Sequence, residues 1–179
     1  MAIYVTSDAH GHVRALDEAL SKISLASDDT LYVLGDMIDR GPDPVGVIKL
    51  VRSLPNARVL KGNHEQIMLD AIIGQDPLDA ETWDINGGWT TREQLNDMEF
   101  EAYEELVRWM AALPLYAVVE TAERPYLLVH AGIQTEAARA FSEDDEGDED
   151  AEEDVEHGQP EDTQAEDRRR ATEADDGQI

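Results

Sequence analysis

The chain reads as an α/β domain followed by an acidic tail, and three observations carry that reading. Short apolar runs alternate with stretches whose apolar residues recur at helical spacing. Four of those runs finish in Thr6-Ser7-Asp8, Leu34-Gly35-Asp36, Lys61-Gly62-Asn63 and Val129-His130-Ala131-Gly132, each a potential ligand with glycine nearby. After Phe141 the periodicity stops, which separates a domain of residues 1–141 from a tail of residues 142–179.

Ala2 to Thr6 is a β-rich run that leads into Ser7-Asp8-Ala9-His10-Gly11. In an extended segment Asp8 and His10 point to the same side, offering one hard oxygen and one imidazole. His12 opens a helix as a solvated first-turn residue, and Val13, Leu16, Leu20 and Ile23 give that helix its apolar face. Ser27-Asp28-Asp29 turns back into the strand Leu31-Tyr32-Val33-Leu34. Asp43 is placed to cap the next helix and Pro44 to occupy its first position. Ala57-Arg58-Val59-Leu60 is a third strand, followed from Glu65 by a helix with Ile67, Met68, Ala71 and Ile72 on one side. Gly74 to Thr91 reads as loop, with a turn at Asn86-Gly87-Gly88-Trp89. A helix from about Glu101 to Leu113 ends at Pro114, and two strands follow, Leu115 to Val119 and Tyr126 to Val129.

The formal charge is −27, and cysteine is absent. The absence of cysteine excludes disulfides and thiolate zinc sites. Residues 142–179 hold 18 acidic and 3 basic side chains, a net of −15. Such a surface repels nucleic acid and anionic membranes, so neither is expected as a partner. The tail lacks the spacing and glycine of a calcium loop and should be disordered. With no basic, apolar leader and no long apolar stretch, the expected compartment is the cytoplasm.

Gly35-Asp36-Met37-Ile38-Asp39-Arg40-Gly41 is the most informative stretch. Packing gives no reason to set two carboxylates and a guanidinium directly after a core strand, whereas a metal ion and a phosphate do. Together with Ser7 to Gly11, Gly62-Asn63-His64-Glu65 and Val129 to Gly132, it resembles the signatures of calcineurin-like metallophosphoesterases. Within them the chain is most similar to bacterial and phage serine/threonine protein phosphatases, over about Ile3 to Ile133. Asn86-Gly87-Gly88 also resembles a turn of the bacterial members, while Ser7 stands where many have glycine.

The resemblance implies a ββ-sandwich flanked by helices and two divalent ions, manganese ahead of iron, zinc or nickel. Asp8 and His10 would hold the first ion, Asp36 would bridge both, and Asn63 and His130 would hold the second. His64 would protonate the leaving group, Asp39 would orient its ring, and Arg40 would clamp the phosphoryl oxygens. The expected reaction is hydrolysis of a phosphomonoester, foremost phosphoserine or phosphothreonine in proteins, by a metal-activated water. A dinucleoside polyphosphate hydrolase shares the same motifs and is the alternative. Family members continue past the His-Ala-Gly motif to a further arginine and a further histidine ligand. Here His157 and Arg168 to Arg170 are poor stand-ins, so the domain is expected to be truncated, with activity impaired and one sheet's edges uncovered. A non-catalytic remnant serving as a binding module is the third reading.

Overall fold

The structure, a computed structural model, describes residues 1–74 and 76–133. The expected boundary at Phe141, the acidic tail, His157 and Arg168 to Arg170 lie outside the described residues. The element order is β1 (Ile3–Thr6), α1 (Val13–Ile23), β2 (Thr30–Val33), α2 (Pro44–Ser53), β3 (Ala57–Val59) and α3 (Asn63–Ile73). Then come α4 (Leu78–Ile85), α5 (Trp89–Asn96), α6 (Phe100–Ala111), β4 (Tyr116–Val119) and β5 (Tyr126–Val129). The fold is mixed α/β, with a parallel sheet in the order β1-β2-β3 and an antiparallel pair β4-β5.

The parallel sheet arises because each strand is followed by a helix that returns the chain to the same end. Its register puts Thr6 beside Val33 and Val33 beside Val59, so the three strands end level and their loops leave from one edge. Backbone pairing continues past the strand ends. Asp8, His10 and Gly11 donate to the carbonyls of Gly35, Asp36 and Met37 at 3.2, 2.9 and 2.8 Å. Two loops that would otherwise move separately are thereby held as one unit. Gly35 (φ +96°) makes this possible, because a Cβ there would stand 2.3 Å from the nitrogen of Gly62.

The core lies where α2, α3 and α6 meet the sheet. Leu31, Val33, Val47, Ile48, Val51, Met68 and Met110 are each at most 1% exposed. Burying one such side chain contributes roughly 1.5–3 kcal/mol. Asp43 caps α2 by accepting from the Gly46 N–H at 2.8 Å, and Pro44 begins the helix, as the sequence indicates. No helix among the described residues is long and apolar enough to cross a membrane.

The segment Gly74 to Thr91 departs from the loop expected of it. It holds all of α4 and the start of α5, with the Asn86-Gly87-Gly88 turn between them. Apolar periodicity is weak there because the buried face mixes Trp83 and Leu95 with threonine. Trp83 is the buried residue of α4, and α5 buries Thr90, Thr91 and Leu95. Threonine is buried at little cost once its hydroxyl has a partner.

The hairpin β4-β5 is joined to the first sheet's loops by two bonds. The Lys61 N–H donates to Pro114 O at 2.8 Å, and His130 Nδ1 donates to Leu34 O at 2.7 Å. Among the described residues no third strand pairs with it, and Leu115, Tyr116, Val118 and Tyr126 are exposed. An open, largely apolar cavity of about 790 Å³ lies along this face, reaching Asn63 and His130.

Candidate metal centre

Among the described residues six non-glycine positions have left-handed backbone, and five of them are Asp8, His10, Asp36, Asp39 and Arg40. The sixth, Ser24, ends α1. Each such residue costs about 1–3 kcal/mol and persists only where its surroundings hold it. Here the zipped loops do so, and they turn successive side chains toward one point beyond the sheet edge.

Asp36 sits at that point, only 3% exposed. Its Oδ2 is 3.6 Å from His10 Nε2 and its Oδ1 is 3.3 Å from His130 Nε2. His10 Nδ1 donates to Ile38 O at 2.8 Å, and His130 Nδ1 donates to Leu34 O at 2.7 Å. Those carbonyls place a proton on each Nδ1, because a carbonyl can only accept. The two Nε2 atoms therefore face opposite oxygens of one carboxylate, and His10 Nε2 also meets the Arg40 guanidinium.

Asp8 Oδ1 lies 3.9 Å from His10 Nε2, and Asn63 Oδ1 lies 2.8 Å from His130 Nε2. With its Nδ1 proton on Leu34 O, His130 presents an acceptor to the acceptor of Asn63. Such a pair repels unless a cation stands between them. Ligand atoms about 2.1 Å from a first-row metal stand about 3.0–3.5 Å apart in one shell, close to the spacings seen. Asp8, His10 and one oxygen of Asp36 fit one ion. The other oxygen of Asp36, with Asn63 and His130, fits a second. Proximity within 4.8 Å also groups His64 with His10 and Asp36, and Asp8 with Asp36 and His130, so Asp8 lies within reach of both positions. The surroundings of His64 give it separate work.

His64 is 1% exposed and Asp39 is fully buried. The imidazole Nδ1 donates to Asp39 Oδ2 at 2.8 Å, and its Nε2 is buried without a partner among the described residues. The Asp39 carboxylate accepts further bonds from Trp83 Nε1, 3.1 Å from each oxygen, and from the Thr91 hydroxyl at 2.5 Å to Oδ1. An orphaned buried nitrogen costs about 1–3 kcal/mol unless something is meant to meet it. Arg40 is exposed, with Nη1 3.0 Å from His10 Nε2 and its N–H on Gly87 O at 3.1 Å. The Gly87 turn therefore sets the base of the arginine.

From sequence Glu65 is only the start of a helix, yet it organises the centre. Its buried carboxylate accepts the N–H groups of Asp36, Met37 and Gly62, each at 2.8 Å. It thus fixes the Asp36 turn to the start of α3, where the His64 N–H also donates to Asp36 Oδ1 at 3.0 Å. Burial pushes the Glu65 carboxyl above its ordinary range and the Asp36 charge adds to this, while the three N–H groups oppose it. The available signal was a glutamate three residues after a glycine N-cap, a capping-box spacing.

All eight residues singled out from the sequence, Asp8, His10, Asp36, Asp39, Arg40, Asn63, His64 and His130, come together at this edge. His12 is the exposed N-cap of α1. Trp83 is buried behind Asp39, whereas Trp89 is 54% exposed. The Ser7 hydroxyl, in place of the usual glycine, donates to Asp8 Oδ2.

The sequence model of calcineurin-like phosphoesterases matches residues 1–175. The symmetrical bis(5'-nucleosyl)-tetraphosphatases of Erwinia tasmaniensis and Proteus mirabilis are 32% and 33% identical to the chain, over 74% of its length. The chain spans 45% of each, less than half their length. A protein serine/threonine phosphatase from Saccharomyces cerevisiae is similar in fold, with a TM-score of 0.51 at 21% identity. That similarity covers 74% of this chain and 38% of the yeast protein.

Proposed function

The chain belongs to the calcineurin-like phosphoesterase family, and from that premise we propose that it hydrolyses phosphoric esters with two divalent ions, dinucleoside tetraphosphates being its preferred substrate class. One observation carries the metal chemistry. Two histidines, each fixed by a backbone carbonyl, bring their Nε2 atoms to the two oxygens of Asp36 at 3.6 and 3.3 Å. A ligating histidine typically gives its other ring nitrogen to such a partner.

When bound, divalent ions supply Lewis acidity toward phosphoryl oxygens and water. Asp8, His10 and Asp36 would hold one, and Asp36, Asn63 and His130 the other. Arg40, exposed at the rim, binds a phosphoryl oxygen and stabilises the charge that grows on it. His64, its ring set by Asp39, carries a proton at Nε2 and delivers it to the departing oxygen. Proton transfer of this kind is worth about 10²–10⁴-fold in rate.

The sequence alone favours phosphoserine and phosphothreonine in proteins. The relatives support the dinucleotide alternative better, since those above 30% identity are tetraphosphatases and the yeast phosphatase, at 21%, bears on fold alone. Metal content by elemental analysis, combined with turnover of diadenosine tetraphosphate, a phosphoserine peptide and p-nitrophenyl phosphate in manganese, tests the proposal. Two ions per chain, loss of ions and of turnover in Asp36→Asn, and a sharp fall in turnover of the phosphoserine peptide in His64→Ala are expected. A higher kcat/KM on the phosphopeptide would reinstate the protein phosphatase reading. No bound metal and no turnover would leave a binding module. A chain ending at Phe141 should retain the metals; failure there would assign a role to the tail.

A further inference from the structure

We propose that Trp83 and Thr91 are positioning residues for the Asp39–His64 pair and affect the reaction only through it. The proposal rests on the reading of His64 as proton donor to the leaving group. The bonds to Asp39 divide the labour between its two oxygens. Oδ1 takes the Thr91 hydroxyl and one branch of the Trp83 N–H, and Oδ2 takes the other branch and His64 Nδ1. The carboxylate therefore has one orientation in which every donor is served, and in it a single oxygen faces the imidazole.

Thr91 does a second job. Its oxygen accepts the Asp39 N–H at 2.9 Å while its proton goes to the carboxylate. One hydroxyl thus secures both the side chain and the left-handed backbone of Asp39 (φ 68°). Trp83 is held with equal economy. Gly88 packs so tightly on the indole that a Cβ would stand 2.2 Å from Cδ1, and the Arg92 guanidinium lies 5.9 Å from the ring. Neither Trp83 nor Thr91 points a polar group at the metal-ligand atoms. Their polar atoms are spent on Asp39 and, for Thr91, on its backbone. Removing either leaves the buried carboxylate a donor short and free to tilt, and the His64 ring tilts with it.

A leaving-group series separates this role from general support of the fold. p-Nitrophenolate departs without a proton, whereas an alkoxide needs one. Trp83→Phe and Thr91→Val should each lower kcat on an alkyl phosphate at least about 10-fold, and on p-nitrophenyl phosphate less than about 3-fold, with KM unchanged. Thr91→Ser, which keeps the hydroxyl, should restore the rate. In a His64→Ala background neither substitution should cost more, because residues that act through one another are not additive. Equal losses across the series, or further loss in that background, would overturn the proposal.

A readout without turnover is the hydrogen-bonded Nδ1 proton of His64, followed by NMR with labelled histidine. It should broaden or move upfield in Trp83→Phe and Thr91→Val and return in Thr91→Ser. An unchanged resonance would refute the positioning role even in a chain that hydrolyses nothing. Absence of turnover by the unaltered chain with its metals would instead sink the functional reading and leave the resonance to decide. Should Thr91→Val fail to fold, Trp83→Phe, which keeps an aromatic ring in the slot, decides alone.

Discussion

At the scale of single residues, the side chains that matter are those whose second atom is already committed. His10, His64 and His130 each place Nδ1 on a fixed acceptor, which leaves one nitrogen for chemistry. These residues were legible because aspartate, histidine and asparagine, set after a strand and beside glycine, suit a metal better than they suit packing. Thr91 was not, because its partner lies 52 positions away and a buried threonine resembles any other in sequence. Glu65 carries a prediction of its own. Glu65→Ala orphans three buried N–H groups and should cost at least about 3 kcal/mol in urea denaturation, taking each orphan at its lower bound. Away from the centre, Asp29 accepts from the N–H groups of Ala2 and Ala26, at 2.6 and 3.0 Å, which holds its carboxyl below the ordinary 3.8. A depressed carboxyl stabilises the fold above its unfolded value and loses that contribution as pH falls through the folded one. Asp29→Ala should therefore melt below the unaltered chain at pH 7, with the gap closing below about pH 4. A gap independent of pH would refute this.

Elements were read well where burial was apolar and badly where it was polar. The strands and the helices α1, α2, α3 and α6 follow their periodic apolar faces, whereas α4 and α5 hide tryptophan and threonine behind a polar network. The level ends of the three parallel strands were not visible in the sequence either, because register is a tertiary outcome. Yet that register brings four separate motifs to one edge. The tight turn after β2 is the element most exposed to a small change. Gly35→Ala combines a left-handed φ with a Cβ 2.3 Å from the Gly62 nitrogen, so something must move. A loss of at least about 3 kcal/mol is expected from chemical denaturation. Metal binding should fall with it, because Asp36 is the next residue. Full retention of both would show that the turn is looser than described.

For the whole molecule, charge is the term that sets solution behaviour. Removing the tail's −15 still leaves −12 on residues 1–141. Like charges repel most at low ionic strength, where the Debye length is about 30 Å at 0.01 M against about 8 Å at 0.15 M. The melting temperature should accordingly rise by several degrees between those conditions, roughly what 1 kcal/mol of relieved repulsion gives. It should rise equally with sodium and potassium, since the effect is screening and not site binding. A flat profile would mean that the acidic side chains are already neutralised by neighbours.

The cluster of left-handed residues makes the centre a place where durability and usefulness pull in opposite directions. Asp8 and Arg40, both exposed, sit where glycine would rest more comfortably. Replacing either with glycine would relieve backbone strain while discarding a group proposed to hold a metal or the phosphoryl oxygens. Thermal tolerance should therefore be gained at the very positions where performance is lost. A glycine scan ranked on heat resistance alone would mark these two rim positions as gains, without any substrate in hand.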